Sequence, residues 1–269
     1  MKKTLNSILS WNPKTEILID SAGSTDVKSV RRDDNNELIG VVGSDRHVAS
    51  NTSIVSNVVD ICNRLNVNSD KVQAYEIHGG ASLRFRIPIE PLSIGEENEC
   101  FVSVSASHDS TVASSANMFI KRLVCENGMM AMVKSFGAFA KFCKNYEISW
   151  TERFDIFQDG LTEQRKKTES LYKALREKNV SPQKVRATLD KVFPGKGKRT
   201  ENARSHVEEL FISGKGNGGR TGADLLNGLT EYLNHERGFK ETRKVSREEN
   251  RFLAIEKIDF ESLATVILK

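Results

Sequence analysis

The stretch VQAYEIHGGASLRFRIPIE, residues 72–90, decides the fold, because it holds two candidate β-strands joined at a pair of glycines. After the glycines, Leu83 and Phe85 alternate with Arg84 and Arg86. A period of two residues is typical of a β-strand whose faces meet different surroundings. One face of this strand is therefore predicted to be apolar, and the other to carry two arginines.

The segments around this stretch extend the prediction. A third candidate strand at Glu99–Ser107 completes an antiparallel meander. Before the meander, apolar residues follow Ser53 at helical spacing and predict an amphipathic helix. After it, Asp109–Cys125 is predicted to form a second helix, and Met129–Phe142 a third, buried one. The expected order of elements is thus helix, three strands, helix.

The rest of the chain divides by composition. Residues 1–33 are polar and are predicted to form a peripheral N-terminal arm, whereas residues 34–146 form a mixed α/β core. Residues 147–269 are predicted to be helical, with a seven-residue repeat that indicates one long packed helix. We therefore predict an α+β protein: an N-terminal antiparallel sheet with flanking helices, and a C-terminal half that is mostly α-helical and packed on that sheet.

Composition limits the function classes. The net charge of +4 and pI of about 8.8 permit an acidic partner without requiring one. Apolar runs are too short for a membrane span, so a cytoplasmic protein that does not enter a membrane is expected. The four cysteines are widely spaced and lack the close pairs of zinc or redox sites. No cofactor and no metal are therefore predicted.

The segment GKGNGGRT, Gly214–Thr221, has nearly the spacing of a phosphate-binding loop. Such a loop follows a β-strand, but Glu201–Ser213 has helical spacing, and Arg220 stands where lysine is expected. Nucleotide hydrolysis is therefore not predicted. Two interpretations stay open: a glycine-rich surface turn, or amides at a helix N-terminus that bind an anion such as a nucleic-acid phosphate.

Several segments resemble one protein family. GGRTGADLLNGLTEYLNHERG, DSTVASSANMFIKRLVCENGMMAM and VVGSDRHVASN together resemble phage- and plasmid-encoded proteins known as domain of unknown function family 932. The chain departs from the family pattern at Gly222 and Asp224. The resemblance implies no activity. It marks residues that we expect to be structural: Asn127, Thr221, Asn227, Thr230, Glu231, Tyr232 and His235.

Catalytic and metal-binding roles for these residues find little support. Glu231 and His235 share a helix face, but two helical ligands do not complete a metal site. The cluster around Asn227, Thr230 and Tyr232 is expected to make buried hydrogen bonds that fix its helix against the sheet. We therefore predict that the protein is not an enzyme.

A nucleic-acid surface is the more specific prediction. The predicted element order is similar to that of phage single-strand annealing proteins, which hold DNA in a basic groove and usually form rings or filaments. Such a groove binds phosphates without reading sequence. The cations expected to line it, or to lie on the two glycine-rich loops, are Arg84, Arg86, Lys121, Arg122, Lys134, Lys196, Lys198, Arg199, Lys215 and Arg220.

Two functions follow from these features of the sequence. The first is non-catalytic binding of single-stranded DNA in phage- or plasmid-type recombination or replication, by a protein that can form a homo-oligomer. The alternative is an accessory protein that binds a protein partner through its helical half. Binding of phosphates should weaken steeply with ionic strength, whereas an apolar protein interface should not.

Overall fold

The computed structural model describes residues 2–21, 23–111, 115–123, 128–131, 146–215, 217–238 and 246–269. Nine strands and eight α-helices lie in these ranges. The strands are β1 (Lys2–Lys3), β2 (Pro13–Asp20), β3 (Gly23–Arg32), β4 (Leu38–Gly43), β5 (Gln73–Ile77), β6 (Ser82–Ile89), β7 (Asn98–Ser107), β8 (Ser115–Arg122) and β9 (Gly128–Ala131). The helices are α1 (Leu5–Ile8), α2 (Asn51–Arg64), α3 (Tyr146–Glu177), α4 (Pro182–Val192), α5 (Lys198–Ser213), α6 (Gly222–Glu231), α7 (Arg247–Ile255) and α8 (Phe260–Leu268).

The strands form two antiparallel sheets. The larger sheet has the order β1-β5-β6-β7-β8-β9, and the smaller one the order β2-β3-β4. Neighbouring strands along the chain pair with each other from β5 to β9, as in a meander. The predicted meander of three strands is therefore confirmed, and it continues through two further strands.

The central strand β6 has the two faces that its alternation predicts. Leu83, Phe85 and Ile87 are fully buried and belong to the main hydrophobic core. On the other face, Arg84 and Arg86 are buried as well. Both faces of the sheet are covered at this strand, so the polar face does not meet solvent as an open groove.

The helix predicted at Asp109–Cys125 is wrong, because Ser115–Arg122 forms strand β8. Met118 and Ile120 are fully buried and pair with Val102 and Cys100 of β7. Apolar residues two apart fit a strand better than a helix, but a short apolar run satisfies both periods. The predicted order of helix, three strands, helix fails here, and with it the analogy to annealing proteins in element order.

The buried helix predicted at Met129–Phe142 is also wrong where the structure describes it. Gly128–Ala131 forms the edge strand β9, which pairs with β8. The pairing runs from Gly128, opposite Lys121, to Ala131, opposite Met118. The remaining residues of that prediction lie outside the described part of the chain.

Residues 1–33 are not a peripheral arm. Ile8 and Trp11 are buried, and Trp11 packs with Val30 and Val42 in a small second core. Strand β1 pairs with β5 at the edge of the larger sheet. The polar composition of this segment concealed these contacts, because only a few large side chains make them.

The C-terminal half is helical, and it packs on the sheet as predicted. Helix α3 contains the seven-residue repeat, and Phe157, Leu161 and Leu175 are buried along one side. The main hydrophobic core includes residues of the sheet together with residues of α6 and α8. The protein is therefore an α+β structure in which the two halves share one core. Among the described residues, we find no helix with the length and apolar character needed to span a membrane.

Candidate nucleic-acid interface

The two arginines of β6 lie beneath helix α7 and do not form a solvent-facing groove. The Arg84 Nε donates to Glu256 Oε2 at 3.0 Å, and its Nη1 donates to Ser82 Oγ at 2.8 Å. The Arg86 guanidinium lies 3.7 Å from the ring centroid of Phe119 and 4.6 Å from that of Phe252. The prediction of a DNA groove on this strand face is wrong for the structure described, because α7 covers it.

Burial on this face of the sheet also affects the pKa of Arg86. Desolvation lowers the pKa of Arg86, against the opposing effects of Tyr75 and Glu256. The aromatic rings around the guanidinium stabilise its charge through cation–π contacts. Arg86 therefore has aromatic partners within the fold.

Two further predicted cations of the sheet are paired with carboxylates. Arg122 is almost fully buried, and its Nε and Nη2 donate to both oxygens of Glu96 at 2.7 and 2.6 Å. Lys121 is half-buried, with its Nζ 3.8 Å from Glu99 Oε2. A bidentate pair fixes the arginine geometry, so Arg122 holds β8 to the loop before β7. Lys134 lies outside the described residues.

The glycine-rich loop before α6 binds a carboxylate of its own. The amides of Gly218, Arg220 and Thr221 donate to Asp224 at 3.0, 3.0 and 2.8 Å. Burial opposes ionisation of Asp224, but these amide hydrogen bonds hold its pKa below the ordinary value. An external phosphate would meet this negative charge. The loop is therefore not an open anion site, and the surface-turn interpretation is the correct one for its backbone.

The loop also lacks the context of a nucleotide-binding loop, as predicted, because helix α5 precedes it. Asp224, where the chain departs from the family pattern, completes a capping box with Thr221 at the start of α6. The side chains of Lys215 and Arg220 remain exposed on the loop. Their charges are available to solvent even though the amides are not.

Exposed cations concentrate in the segment from Lys178 to Arg204, which we call the basic segment. It contains eight lysines and arginines against two acidic residues, in a chain whose net charge is +4. Partial burial and the charges of Lys178 and Lys191 lower the pKa of Lys184, so positive charges lie close together here. The segment comprises α4, the loop Phe193–Gly197 and the first half of α5.

Four cations of the basic segment face solvent and form no ion pair with any described residue: Lys191, Lys196, Lys198 and Arg199. By contrast, Arg204 pairs with Asp190 at 2.8 Å, and Arg186 lies 3.6 Å from Glu208. The start of the basic segment lies beside the glycine-rich loop, since the amide of Val180 donates to Arg220 O at 2.9 Å. Helix α5, however, separates that loop from the loop Phe193–Gly197. A helix of 16 residues is about 24 Å long. The two basic loops therefore lie at opposite ends of α5 and do not form one phosphate pocket.

An aromatic cleft lies beside the basic segment. Its cavity of about 490 Å³ is lined by Lys198, Arg199, His206 and Tyr232, among others. The Tyr232 ring stands perpendicular to Phe193 with centroids 5.7 Å apart, and its centroid is 5.9 Å from that of His206. A flat aromatic side chain thus lies next to exposed cations. This combination can hold a base and the phosphate that follows it.

Tyr232 is the first residue of a turn of π-helix, Tyr232–Glu236, that continues α6. The wider turn shifts the side chains that follow it, and such turns are frequent at functional sites. Asn234, within this turn, donates to Gly128 O and accepts from Gly128 N, both at 3.1 Å. The turn is therefore fixed to the sheet by a fully buried amide.

The family-motif residues, which were expected to be structural, make contacts within the fold. Thr221 is the N-cap of α6, and the buried Thr230 donates to Asn227 O at 3.0 Å. Asn234, which was not among the predicted residues, joins this helix to the sheet through Gly128. Its position four residues after Thr230 on the same helix face was the available signal. Asn127 lies outside the described residues.

Neither Glu231 nor His235 belongs to a metal-binding cluster of the described chain. The Nδ1 of His235 lies 2.6 Å from Arg251 Nη2, a cation that would repel a metal ion. Within the described ranges, no group of three or more histidine, cysteine or acidic side chains could hold a metal. Burial raises the pKa of the Cys62 thiol to about 11 and that of Cys100 to about 12. Neither thiol is a nucleophile at neutral pH.

Comparison with known proteins gives one match. A family model described as "Domain of unknown function (DUF932)" matches residues 39–255. No curated protein and no solved structure matches the chain. The matched range includes the larger sheet from β5 to β9, the basic segment and the π-helical turn. Because this range is most of the 269 residues, the chain belongs to the family of proteins that carry domain of unknown function 932.

Proposed function

We propose that the protein binds single-stranded DNA without catalysis, in recombination or replication of the phage or plasmid type. The observation that carries the proposal is the set of exposed cations in the basic segment, next to the aromatic cleft, that pair with no described carboxylate. This surface replaces the buried arginines of β6 as the expected contact with DNA. Such DNA is found in the cytoplasm, where we place the protein.

The charge distribution supports contact with a phosphate backbone. Lysine and arginine side chains that face solvent can approach successive phosphates and release their counterions. Lys196, Lys198 and Arg199 lie within four residues, and Lys191 lies in the last turn of α4, two residues before the loop. The loop between α4 and α5 therefore presents a short row of charges. Lys215 and Arg220 can contact a more distant part of the same strand.

The aromatic cleft favours a single strand over a duplex. Bases of a duplex are stacked on each other, whereas those of a single strand can stack on an aromatic ring. Tyr232 is partly exposed and lines the same cavity as Lys198 and Arg199. A base stacked on Tyr232 would place its phosphate beside these cations. The contact would not depend on which base is bound, so little sequence preference is expected.

The test is binding of a labelled oligothymidylate by fluorescence anisotropy at low salt. We expect the triple substitution Lys196→Ala, Lys198→Ala, Arg199→Ala to weaken binding by roughly 10-fold or more, because each lost phosphate contact removes counterion release. The matched control replaces three exposed cations elsewhere, Lys14, Arg64 and Lys71, by alanine. Both variants lose three charges, so only a local contact distinguishes them.

The role of Tyr232 is tested by Tyr232→Leu with two oligonucleotides of equal length, one of them abasic. We expect the substitution to weaken binding of the normal strand by about 1–3 kcal/mol and to leave binding of the abasic strand nearly unchanged. Equal losses for the two strands would indicate that Tyr232 acts only through the fold. Equal losses for the basic-segment variant and its control would remove the basic segment from the proposal.

A protein partner is the second candidate. The observation that favours it is the exposed apolar surface of the smaller sheet, where Ile17, Ile19, Leu38 and Val41 are each about half exposed or more. In the described helices, Ile212 is the large apolar side chain with comparable exposure. A partner would therefore bind the smaller sheet and not the helical half. Its binding would change little with salt.

A further inference from the structure

A polar chamber lies between the larger sheet and the C-terminal end of α7, away from the basic segment. Its volume is about 410 Å³, within the range of small-molecule sites. The floor consists of Arg84, Ser103, Ser105, Ser115 and Asn117, and Glu256 closes one side. Serine, asparagine and arginine on a buried sheet face are unusual, because a closed interface between sheet and helix is normally apolar.

The hydrogen bonds of the chamber are incomplete within the described residues. Arg84 is only 5% exposed and uses its Nε and Nη1 for Glu256, Ser82 and Leu83. The second carboxylate oxygen of Glu256, Oε1, is buried and accepts no hydrogen bond from the described chain. A buried acceptor without a donor is costly. An occupant that draws the Glu256 carboxylate toward the chamber would supply the missing donor.

The lining determines the charge of that occupant. Arg84 and Glu256 form an ion pair, with Nε and Oε2 separated by 3.0 Å, so the buried charges balance. Lys257 also lines the chamber, but it is exposed and its charge faces solvent. An anion would meet Glu256, and a cation would meet Arg84. The hydroxyls of Ser103 and Ser105 and the amide of Asn117 both donate and accept. Leu253 adds one apolar wall. These features fit a neutral molecule rich in hydroxyl groups.

Two residues at the edge of the chamber have an unusual backbone conformation. His78, which lines the chamber, has φ 53°, and Ser110, next to the lining residue Thr111, has φ 61°. Non-glycine residues in the left-handed region are uncommon and cluster at ligand sites. The amide of His78 donates to Glu249 Oε1 of α7 at 3.0 Å, which fixes this corner to the helix above the chamber.

We propose that this chamber binds a neutral molecule with adjacent hydroxyl groups, either a free sugar or a ribonucleoside. The Glu256 carboxylate accepts from the two adjacent hydroxyls, as acidic residues do with ribose. Arg84, Ser103 and Asn117 donate to the ring and hydroxyl oxygens, and Leu253 covers the C–H face. The site is independent of the proposed DNA surface, which lies on α4 and α5.

Isothermal titration calorimetry with three probes tests the proposal: adenosine, 2′-deoxyadenosine and D-ribose. We expect saturable binding of adenosine, of ribose or of both, and binding of 2′-deoxyadenosine that is weaker than that of adenosine by about 10-fold or more, because the adjacent hydroxyls are lost. Binding of adenosine without ribose assigns a nucleoside. Binding of ribose at least as tight as that of adenosine assigns a free sugar.

Two variants connect the binding to the chamber. Asn117→Ala removes a lining amide without touching the Arg84–Glu256 pair, and Glu256→Gln keeps the shape of the side chain but removes its charge. We expect each to weaken binding by roughly 10-fold. The control is Asn63→Ala, at an exposed position on α2. Absence of saturable binding for all probes at millimolar concentration overturns the proposal. Saturable binding of adenosine and 2′-deoxyadenosine with equal affinity, or binding of the preferred probe that is unaffected in Asn117→Ala, also overturns it.

Discussion

His108 is a buried imidazole in contact with the edge of Trp11, with ring centroids 5.6 Å apart. Burial lowers the pKa of His108 to about 4, against weaker opposing effects of Ala49, Asp109 and Glu76. The pKa of a histidine in an unfolded chain is about 6.5. The unfolded state therefore binds a proton that the folded state excludes between these two values. Folding requires the neutral ring.

This residue predicts a pH dependence of stability. The contribution of neutral His108 is complete above about pH 6.5 and is lost as the pH falls toward 4. We expect the free energy of unfolding to decrease by about 2 kcal/mol between about pH 7.5 and pH 5 from this group alone. Urea unfolding at the two values measures the decrease. In His108→Phe, which keeps the contact with Trp11, the decrease should be smaller by that amount. Parallel behaviour of the variant and the wild type would contradict the assignment.

At the scale of single residues, local patterns predicted local contacts. Thr221 was expected to be structural, and it caps α6. The alternation of β6 predicted which side chains share a face. What lies over that face depends on α7, more than 150 residues later in the chain. Local periodicity contains no information about such a contact, so the solvent-facing role of Arg84 and Arg86 was predicted incorrectly.

Helices α5 and α6 approach each other closely at Gly228. A Cβ atom added to Gly228 of α6 would lie 2.9 Å from the backbone nitrogen of Phe211 in α5. The neighbouring atoms are backbone atoms, which cannot move away as the end of a side chain can. The absence of a side chain at Gly228 therefore sets the distance between the two helices that flank the aromatic cleft.

The substitution Gly228→Ala should separate these helices. We expect it to lower the free energy of unfolding by roughly 1–3 kcal/mol, although alanine favours an isolated helix. The control is Gly197→Ala, at a position where an added Cβ meets no atom within 4 Å. Denaturant unfolding of both variants measures the difference. Stability of Gly228→Ala at or above that of the wild type would show that the helices do not approach this closely.

Element type was predictable where the pattern was long. The seven-residue repeat predicted α3, which runs for 32 residues. The segment that forms β8 has eight residues, and so short an apolar run does not separate the period of a strand from that of a helix. Its pairing with β7 decides between them, and pairing is a tertiary contact. The same applies to Trp11, whose burial needs the smaller sheet.

The molecule as a whole has one main core that joins its sheet to its helices. Residues of β6, β7, α6 and α8 belong to the same hydrophobic cluster. Helix α8, near the end of the chain, contributes Phe260, which stacks on Tyr172 of α3 with centroids 5.2 Å apart. The mixed part and the helical part therefore differ in composition, but their residues pack in the same core.

A shared core predicts cooperative unfolding. In a Trp150→Phe background, Trp11 is the remaining tryptophan. Its fluorescence follows the small second core and, because its Nε1 donates to Glu76 of β5, the edge of the larger sheet. Far-UV circular dichroism follows mainly the helices. We expect the two urea transitions to coincide, since loss of either half exposes the apolar surface of the other. A helical transition at clearly different urea concentration would contradict a common core.

The measurement that tests the central claim most directly is the salt dependence of single-strand binding. The logarithm of the association constant is plotted against the logarithm of salt concentration for the wild type and for the Lys196, Lys198, Arg199 triple alanine variant. Each phosphate contact contributes about 0.7 to the slope for a single strand. We predict a steep decrease for the wild type and a slope that is smaller by about 2 for the variant. No binding at low salt, or identical slopes for the two proteins, would contradict the proposed DNA surface.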